Sequence, residues 1–329
     1  MMRQSFVLAA CAVLLAACSQ NTDPDSSDES TSATPSASPS AAATPSPSPS
    51  TAGDGSIKPS PDEAASDQVT YDDRECHQDK RSTKVLTCVF GDPQGDVEIV
   101  AVGDSKTEQY LPVLDAVGKE RGWRVVGMTK SACAFSTAQL AGGANPNPSW
   151  QACEGWNRNA LAKIQRMQPD AVFTALYKLK VPQFGRDIDG DEQKALMADG
   201  IHDALERSGA ASIVLRSTPR AESDTNIPTC VAEHERDTSR CDITGDTITD
   251  PSLVWTRAEE DDIVGGLDDA TVMTINDQLC SSKDRCEAVA DGILRYRDSH
   301  HLTRTFILSI ADVFGERLAE ALDAVGVQP

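Results

Sequence analysis

Short apolar runs and amphipathic segments alternate along most of this chain. Runs with the length and β-branched content of buried strands lie at 97–102, 123–128, 170–176, 211–216 and 271–275. Segments with apolar residues at helical spacing lie at 107–121, 157–167, 192–207, 255–265 and, at the carboxyl terminus, 303–325. Strands that alternate with helices predict an α/β fold, a doubly wound, flavodoxin-like three-layer sandwich with a central parallel sheet.

The amino terminus has the layout of an export signal. Arg3 precedes an apolar stretch at 5–15 that is too short to span a bilayer as a helix, and Ala16, Ala17 and Cys18 follow it. Small residues before a cysteine mark the cleavage and lipidation site of bacterial lipoproteins. An ordinary signal peptide that contains a cysteine is the alternative. We therefore expect residues 1–17 to be removed and Cys18 to anchor the protein by lipid to the outer face of the cell membrane, outside the cytoplasm.

A polar segment separates Cys18 from the rest of the chain. Residues 19–68 are dominated by Ser, Pro, Thr, Ala and Asp, without apolar periodicity. Such a segment buries too little apolar surface to offset the entropy of ordering, so we expect 18–68 to be a lipidated, disordered linker. The domain is then expected at 69–329. The net charge of −21 argues against nucleic acid as a partner.

Eight cysteines lie in the expected domain, an even number that is typical of disulfides in an exported protein. Eight cysteines allow about 105 connectivities. Pairing of sequence neighbours joins Cys76 to Cys88, Cys133 to Cys153, Cys230 to Cys241, and Cys280 to Cys286. Each pair would close one polar loop. A zinc site is disfavoured because the chain has no C-x2-C or H-x3-H spacing, and we expect neither a metal nor a cofactor.

The first candidate for catalysis is Gly103-Asp104-Ser105, which ends the run 97–102 and precedes the first helix. Ligands of doubly wound sheets bind beyond the carboxyl ends of strands. Gly103 permits a close turn, and Asp104 has a side chain suited to bonding loop amides. The backbone N–H of Ser105 lies at the helix amino end, where it suits an oxyanion. Turns of this kind also bind phosphate or only cap helices.

The second candidate is Asp298-Ser299-His300-His301, just before the last predicted helix. A serine hydroxyl needs a base to take its proton, and a histidine base needs a carboxylate to orient it. The spacing of three residues across a turn brings Asp298 beside His301, which we therefore prefer to His300. The alternative is an N-cap region with exposed histidines.

With both candidates in view, the chain resembles the SGNH, or GDSL-like, hydrolase superfamily. It is most similar to the SGNH domains associated with membrane proteins of acyltransferase family three. The resemblance covers most of 74–325, with landmarks at Cys88–Pro93, Val102–Ser105, Thr129–Cys133, Leu215–Arg220 and Tyr296–Thr303. It implies Ser105 as nucleophile, His301 as base and Asp298 as the orienting acid.

The chain departs from this superfamily at two places. Relatives usually carry histidine directly after the serine, where this chain has Lys106. The asparagine expected as an oxyanion donor after the third strand is also missing, since Tyr177 and Lys178 stand there. Backbone amides around Gly127 to Ser131 are the remaining candidates.

The resemblance implies a serine esterase or O-acyltransferase, with acetyl as the expected acyl group and a cell-envelope glycan as the expected substrate. The expected partners are an acylated glycan or acyl donor, a membrane protein of acyltransferase family three, and the membrane itself through the lipid. Two alternatives stay open: a catalytically weak glycan-binding protein with this fold, and a scaffold lipoprotein that positions a membrane acyltransferase.

Overall fold

The protein, in a computed structural model, is described over residues 56–139, 147–177, 190–222, 225–248 and 255–328. The strands are β1 (His77–Gln78), β2 (Cys88–Gly91), β3 (Val97–Gly103), β4 (Trp123–Lys130), β5 (Ala171–Ala175), β6 (Ala211–Leu215), β7 (Ile243–Thr244), β8 (Ala270–Met273), β9 (Cys280–Ser282), β10 (Arg285–Cys286), β11 (Val289–Ala290) and β12 (Ile293–Leu294). The α-helices are α1 (Ser105–Glu108), α2 (Leu111–Arg121), α3 (Pro148–Met167), α4 (Gly190–Ser208), α5 (Ile227–Glu233), α6 (Arg257–Val264), α7 (Asn276–Leu279), α8 (Arg304–Ser309) and α9 (Ala311–Ala324).

A central sheet in the order β1-β4-β3-β5-β6-β8 organises the molecule. These strands pair in parallel, and β2 adds an antiparallel strand on the outer edge of β4. The five strands predicted from apolar runs are β3, β4, β5, β6 and β8, and the predicted doubly wound parallel sheet is confirmed. The antiparallel strand β2 was not among the predicted strands.

Helices cover both faces of this sheet, as expected for buried parallel strands. Alternate residues of β3 point to opposite faces: Ile99 and Ala101 join one apolar cluster, and Val100 and Val102 join the other. The first cluster includes residues of α2, α8 and α9, and the second includes residues of α3, α4 and α6. The core is therefore two apolar layers with the sheet between them.

Two predicted helices are interrupted in the structure. The segment predicted as one helix at 107–121 forms α1 and α2, with Gln109 and Tyr110 between them. Pro112 lies in the first turn of α2, where its missing N–H and fixed φ favour a helix start. The terminal helix predicted at 303–325 is likewise divided at Ile310 into α8 and α9.

The helix predicted at 157–167 begins earlier, at Pro148. The side chain of Asn147 accepts a hydrogen bond from the Ser149 N–H and so caps α3. The helix α3 therefore starts more than two turns before its predicted first residue.

Residues 56–68 belong to the folded part, although their composition assigned them to the linker. The Lys58 N–H donates to Gly292 O at 2.8 Å, and Ala64 is fully buried. Asp67 accepts hydrogen bonds from the backbone N–H groups of Arg304 and Thr305 at the start of α8. The described fold therefore starts before residue 69. The predicted signal peptide, Cys18 and most of the linker lie outside the described residues.

The four predicted disulfides are present, and each closes a loop between sequence neighbours. They join Cys76 to Cys88, Cys133 to Cys153, Cys230 to Cys241, and Cys280 to Cys286. Within the described ranges, the helices are too short or too polar to cross a membrane.

Candidate active site

The crevice where strand order reverses lies at the carboxyl ends of β3 and β5. From β3 the chain goes outward to β4 and then returns to the other side of β3 to form β5. Ligands of open α/β sheets bind at this kind of crevice. Ser105, the first residue of α1, follows β3 directly and lies there.

Gly103 and Asp104 form the turn that presents Ser105. Gly103 has a φ of +150°, and a Cβ at this position would lie 2.4 Å from Thr107 Oγ1. Only glycine therefore fits between β3 and α1 without a shift. Asp104 is the N-cap of α1, and its buried carboxylate accepts a hydrogen bond from the Lys106 N–H at 2.8 Å. Burial raises the pKa of Asp104 to about 6.

Asp298 and His301 reach Ser105 from the other end of the sequence. His301 Nε2 lies 2.8 Å from Ser105 Oγ, and His301 Nδ1 lies 2.7 Å from Asp298 Oδ2. The second oxygen, Asp298 Oδ1, accepts hydrogen bonds from the backbone N–H groups of His300 and His301 at 2.8 and 2.7 Å. A continuous hydrogen-bonded chain therefore runs from carboxylate to hydroxyl, the arrangement in which a histidine takes the proton of a serine nucleophile.

The loop that carries Asp298 and His301 is tied down at both ends. An antiparallel bridge joins Tyr296 to Leu302, and inside it the Arg297 N–H donates to His301 O at 2.9 Å. The Leu302 N–H donates to Gln109 Oε1 at 3.0 Å. Because Gln109 follows α1 directly, this contact links the loop to the helix that begins with Ser105.

His300, the neighbouring histidine, makes different contacts. Its ring stacks on Tyr177, with ring centroids 5.3 Å apart and an interplanar angle of 18°. Its Nδ1 lies 3.0 Å from Ser299 Oγ. Burial, followed by the charge of Lys106, lowers the pKa of His300 to about 3. Of the two adjacent histidines, His301 is the one that contacts Ser105.

The surroundings favour an ionised Asp298 and a neutral His301. Burial alone would raise the pKa of Asp298, but the hydrogen bonds from His301 hold it well below its usual range. Burial lowers the pKa of His301 below its ordinary value of 6.5, although Asp298 opposes this effect. A neutral imidazole that donates Nδ1–H to a carboxylate has the Nε2 lone pair available for a serine proton.

Lys106, directly after Ser105, is a buried cation. Its Nζ donates to Thr218 Oγ1 at 3.2 Å and to the carbonyl oxygen of His300, and it lies 5.5 Å from the ring centroid of Tyr177. Burial lowers the pKa of Lys106 to about 7. These contacts join α1 to the segment after β6 and to the loop that carries His300. Relatives usually carry a histidine at the position of Lys106.

Gly127, which the sequence analysis named as a possible oxyanion donor, is a residue of the central sheet. Gly127 lies inside β4, where it pairs with Cys88 of β2 on one side and Ala101 of β3 on the other. The backbone N–H of Ser131, at the far end of the same candidate segment, donates to Gln78 O at 2.9 Å. Gly127 is therefore paired with a strand on each side, at a point before β4 reaches the crevice.

Three more polar side chains surround the site, and none of them was assigned a role from the sequence. Thr107 Oγ1 accepts a hydrogen bond from the Ala175 N–H at 3.0 Å and so ties α1 to the end of β5. Arg220 is buried and donates from Nη1 to Tyr177 Oη at 2.6 Å. Tyr177 and Arg220 closely follow β5 and β6, at the strand ends where ligands of such sheets bind. In the sequence, Arg220 ends a landmark of the resemblance and Tyr177 stands where an asparagine was expected.

Comparison with known proteins identifies the family of this chain. A model of the SGNH domain, described as fused to AT3 domains, matches residues 75–316, which include Ser105, Asp298 and His301. No curated protein matches the chain.

Among solved structures, the chain is similar to the periplasmic domain of a Salmonella ser. Paratyphi A lipopolysaccharide acetyltransferase. The identity is 15%, the alignment covers 67% of this chain and 84% of that one, and the TM-score is 0.48. TT1662 from Thermus thermophilus is 12% identical over 74% of this chain and 96% of its own, with a TM-score of 0.32. Because the family model matches most of the length, the chain belongs to the family of SGNH domains fused to AT3 domains.

Proposed function

We propose that this protein is a serine esterase or O-acyltransferase that acts outside the cytoplasm on hydroxyl groups of a cell-envelope glycan. The observation that supports this most is the hydrogen-bonded chain from Asp298 through His301 to Ser105 Oγ, with contacts of 2.7 and 2.8 Å. Ser105 is the nucleophile, His301 the general base and Asp298 the carboxylate that orients it.

In the first half of the reaction, Ser105 Oγ attacks the carbonyl carbon of an ester while His301 Nε2 takes the hydroxyl proton. Asp298 stabilises the imidazolium that forms. The backbone N–H of Ser105 is proposed as one donor to the oxyanion. Collapse breaks the carbon–oxygen bond to the leaving alcohol, which receives the proton from His301, and the acyl group remains on Ser105.

In the second half, an incoming hydroxyl attacks the acyl-enzyme and gives its proton to His301. Water yields the free acid, and a sugar hydroxyl yields a new ester. His301 then returns the proton to Ser105 Oγ, so the enzyme is regenerated in either case. The choice between hydrolysis and transfer depends on which acceptor occupies the crevice.

Family membership supports the acyl chemistry and a membrane acyltransferase partner, because these domains occur fused to AT3 domains. The acetyl group and the glycan acceptor are carried over from the superfamily resemblance. The four disulfides are typical of an oxidising compartment and support action outside the cytoplasm. The proposed anchor is a lipid on Cys18.

Hydrolysis of p-nitrophenyl acetate by the purified full-length protein tests the proposal. Ser105→Ala is expected to lower kcat by about 10³-fold or more, since the nucleophile is lost. Ser66→Ala, which changes an exposed serine outside the site, is the matched control and should keep wild-type activity. Mass spectrometry after acid quench should find the acetyl group on the Ser105 peptide.

Equal slow turnover by wild-type and Ser105→Ala proteins would contradict the proposed catalysis. It would favour the catalytically weak glycan-binding alternative, which is motivated by Lys106 in the usual position of a histidine, or the scaffold alternative. An acetyl group found only on other residues would contradict the assignment of the nucleophile.

A further inference from the structure

A second cluster of polar side chains lies at the carboxyl end of β4, beside the proposed triad. His77 Nε2 lies 2.9 Å from Ser131 Oγ. On the other side of the ring, His77 Nδ1 lies 3.3 Å from Glu108 Oε2 and 2.9 Å from Thr129 Oγ1. The Tyr71 hydroxyl donates to Glu108 Oε1. We call these five residues the β4 cluster. It contains a hydroxyl within hydrogen-bond distance of an imidazole, and a carboxylate that lies 3.3 Å from the other ring nitrogen.

The fold holds Ser131 in a position equivalent to that of Ser105. Gly103, the last residue of β3, pairs with Thr129 of β4. Each serine stands two residues beyond this pair on its own strand. The two hydroxyl-bearing residues therefore follow adjacent parallel strands at the same edge of the sheet.

The partners of Ser131 come from two other elements. His77 belongs to β1, which pairs with the end of β4 at Thr129, and the disulfide from Cys76 anchors the residue before it. Glu108 is the last residue of α1, the short helix that begins with Ser105. A single helix thus carries the proposed nucleophile of one site and the carboxylate of the other.

The histidine of the β4 cluster is as accessible as His301, and its carboxylate is less exposed than that of Asp298. The side chain of His77 is 18% exposed and that of Glu108 is 16% exposed, compared with 15% for His301. Burial lowers the pKa of His77, the charge of Glu108 opposes this effect, and Lys130 and Arg297 add to it. His77 is therefore neutral at pH 7, the form in which an imidazole accepts a proton.

A hydroxyl within hydrogen-bond reach of a histidine, itself oriented by a third group, is the usual arrangement for an activated serine. Thr129 Oγ1 is the hydrogen-bond partner of His77 Nδ1, and the Glu108 carboxylate lies 3.3 Å from the same nitrogen. Donation to either leaves the Nε2 lone pair directed at Ser131 Oγ. The proposed mechanism at Ser105 does not use Ser131, His77 or Glu108.

We propose that Ser131 is a second acyl-accepting nucleophile, with His77 as its general base and Glu108 as the carboxylate that orients His77. Its substrate class is a carboxylic ester with a small acyl group. Ser131 Oγ forms a bond to the carbonyl carbon, the bond from that carbon to the leaving alkoxide breaks, and the proton passes from Ser131 Oγ through His77 Nε2 to the alkoxide. The step does not depend on Ser105, so its test is separate.

The test treats the purified full-length Ser105→Ala protein with p-nitrophenyl acetate and maps acetylated peptides by mass spectrometry. We expect acetyl on the Ser131 peptide. The rate of this acetylation should fall by about 10²-fold or more in Ser105→Ala/His77→Gln, because the base is removed. Ser105→Ala/Ser66→Ala should retain it, since Ser66 lies in an exposed turn elsewhere.

A second measurement keeps the test independent of the folding of the Ser105→Ala protein. In the wild-type background, His77→Gln should lose acetylation of Ser131 and keep acetylation of Ser105. Absence of acetyl on Ser131 in both backgrounds would overturn the inference, and the β4 cluster would then be structural. Equal acetylation of Ser131 with and without His77 would overturn it as well. Loss of acetyl at Ser105 alone would contradict only the proposed function.

Discussion

Asp298→Asn is expected to remove most of the esterase activity because it moves the proton of the neutral His301 ring from Nδ1 to Nε2. Asp298 Oδ1 accepts two backbone N–H groups at 2.7 and 2.8 Å, so the amide oxygen of asparagine must take that position. The amide NH2 then occupies the 2.7 Å contact with His301 Nδ1 and donates to it. His301 is forced to carry its proton on Nε2. It then has no lone pair to accept the proton of Ser105.

The size of the effect follows from this tautomer change. In a Ser–His–Asp triad the same exchange lowers kcat by about 10⁴-fold. Each tenfold step is about 1.36 kcal/mol, so the lost transition-state stabilisation is about 5.4 kcal/mol. The backbone contacts of the loop are kept. We therefore expect the free energy of unfolding at pH 7 to fall by only about 1–3 kcal/mol, because an amide is a weaker acceptor than a carboxylate.

The assay is kcat for p-nitrophenyl acetate, with urea unfolding measured on the same preparation. Asp92→Asn is the matched control: it makes the same chemical change in the turn between β2 and β3, where the side chain accepts a hydrogen bond from the Gln94 N–H. That turn lies at the amino end of β3, whereas Ser105 follows its carboxyl end, so activity should stay at the wild-type level. A kcat of Asp298→Asn within about tenfold of wild type would refute the role assigned to Asp298.

Three further predictions concern the surroundings of the triad. Lys106→Met removes a charge that lowers the pKa of His301; that pKa should rise, and the pH below which kcat/KM declines should move upward. Gly103→Ala places a methyl group 2.4 Å from Thr107 Oγ1 at a φ of +150° and should lower the free energy of unfolding by about 2 kcal/mol or more, measured with urea. C133S/C153S opens a loop with a sequence separation of 20 and should cost about 3 kcal/mol in the same measurement.

Controls for these predictions come from the same chain. An unchanged acid limb in the Lys106→Met profile would contradict the electrostatic coupling to His301. Gly122→Ala also has a positive φ but no atom within 4 Å of the added Cβ, so a loss as large as that of Gly103→Ala would rule out the steric argument. C280S/C286S opens a separation of only 6 and should cost about 1 kcal/mol less than C133S/C153S. The reverse order would argue against the loop-entropy explanation.

The features that the sequence predicted correctly arise from patterns among residues that are close in the sequence. The five central strands are recognisable because buried parallel strands are continuous apolar runs, and their alternation with helices implies the doubly wound sheet. The disulfides join sequence neighbours, with separations from 6 to 20 residues. The contact between Asp298 and His301 spans three residues of one loop. Each of these features depends on residues that are close in the sequence.

Patterns among neighbouring residues did not predict the features of the structure that depend on tertiary packing. Gly127 looks available as a donor until β2 and β3 pair with β4 on both sides. Residues 56–68 have the composition of a linker, yet Lys58 and Asp67 bond to β12 and α8 regions far along the chain. Lys106 follows the predicted nucleophile on a turn, where exposure is expected, but its ammonium is enclosed by Thr218 and His300.

The sequence by itself determined the type of fold, the turn that carries Ser105 and the pairing of Asp298 with His301. Only the tertiary structure decided that His301 contacts Ser105, from which it is separated by 196 residues. It also decided that Ser131, His77 and Glu108 meet at the next strand end. The reason is physical: a turn or a cap depends on neighbouring dihedral angles and side chains, whereas contacts between distant segments depend on strand order and on the burial of the whole core.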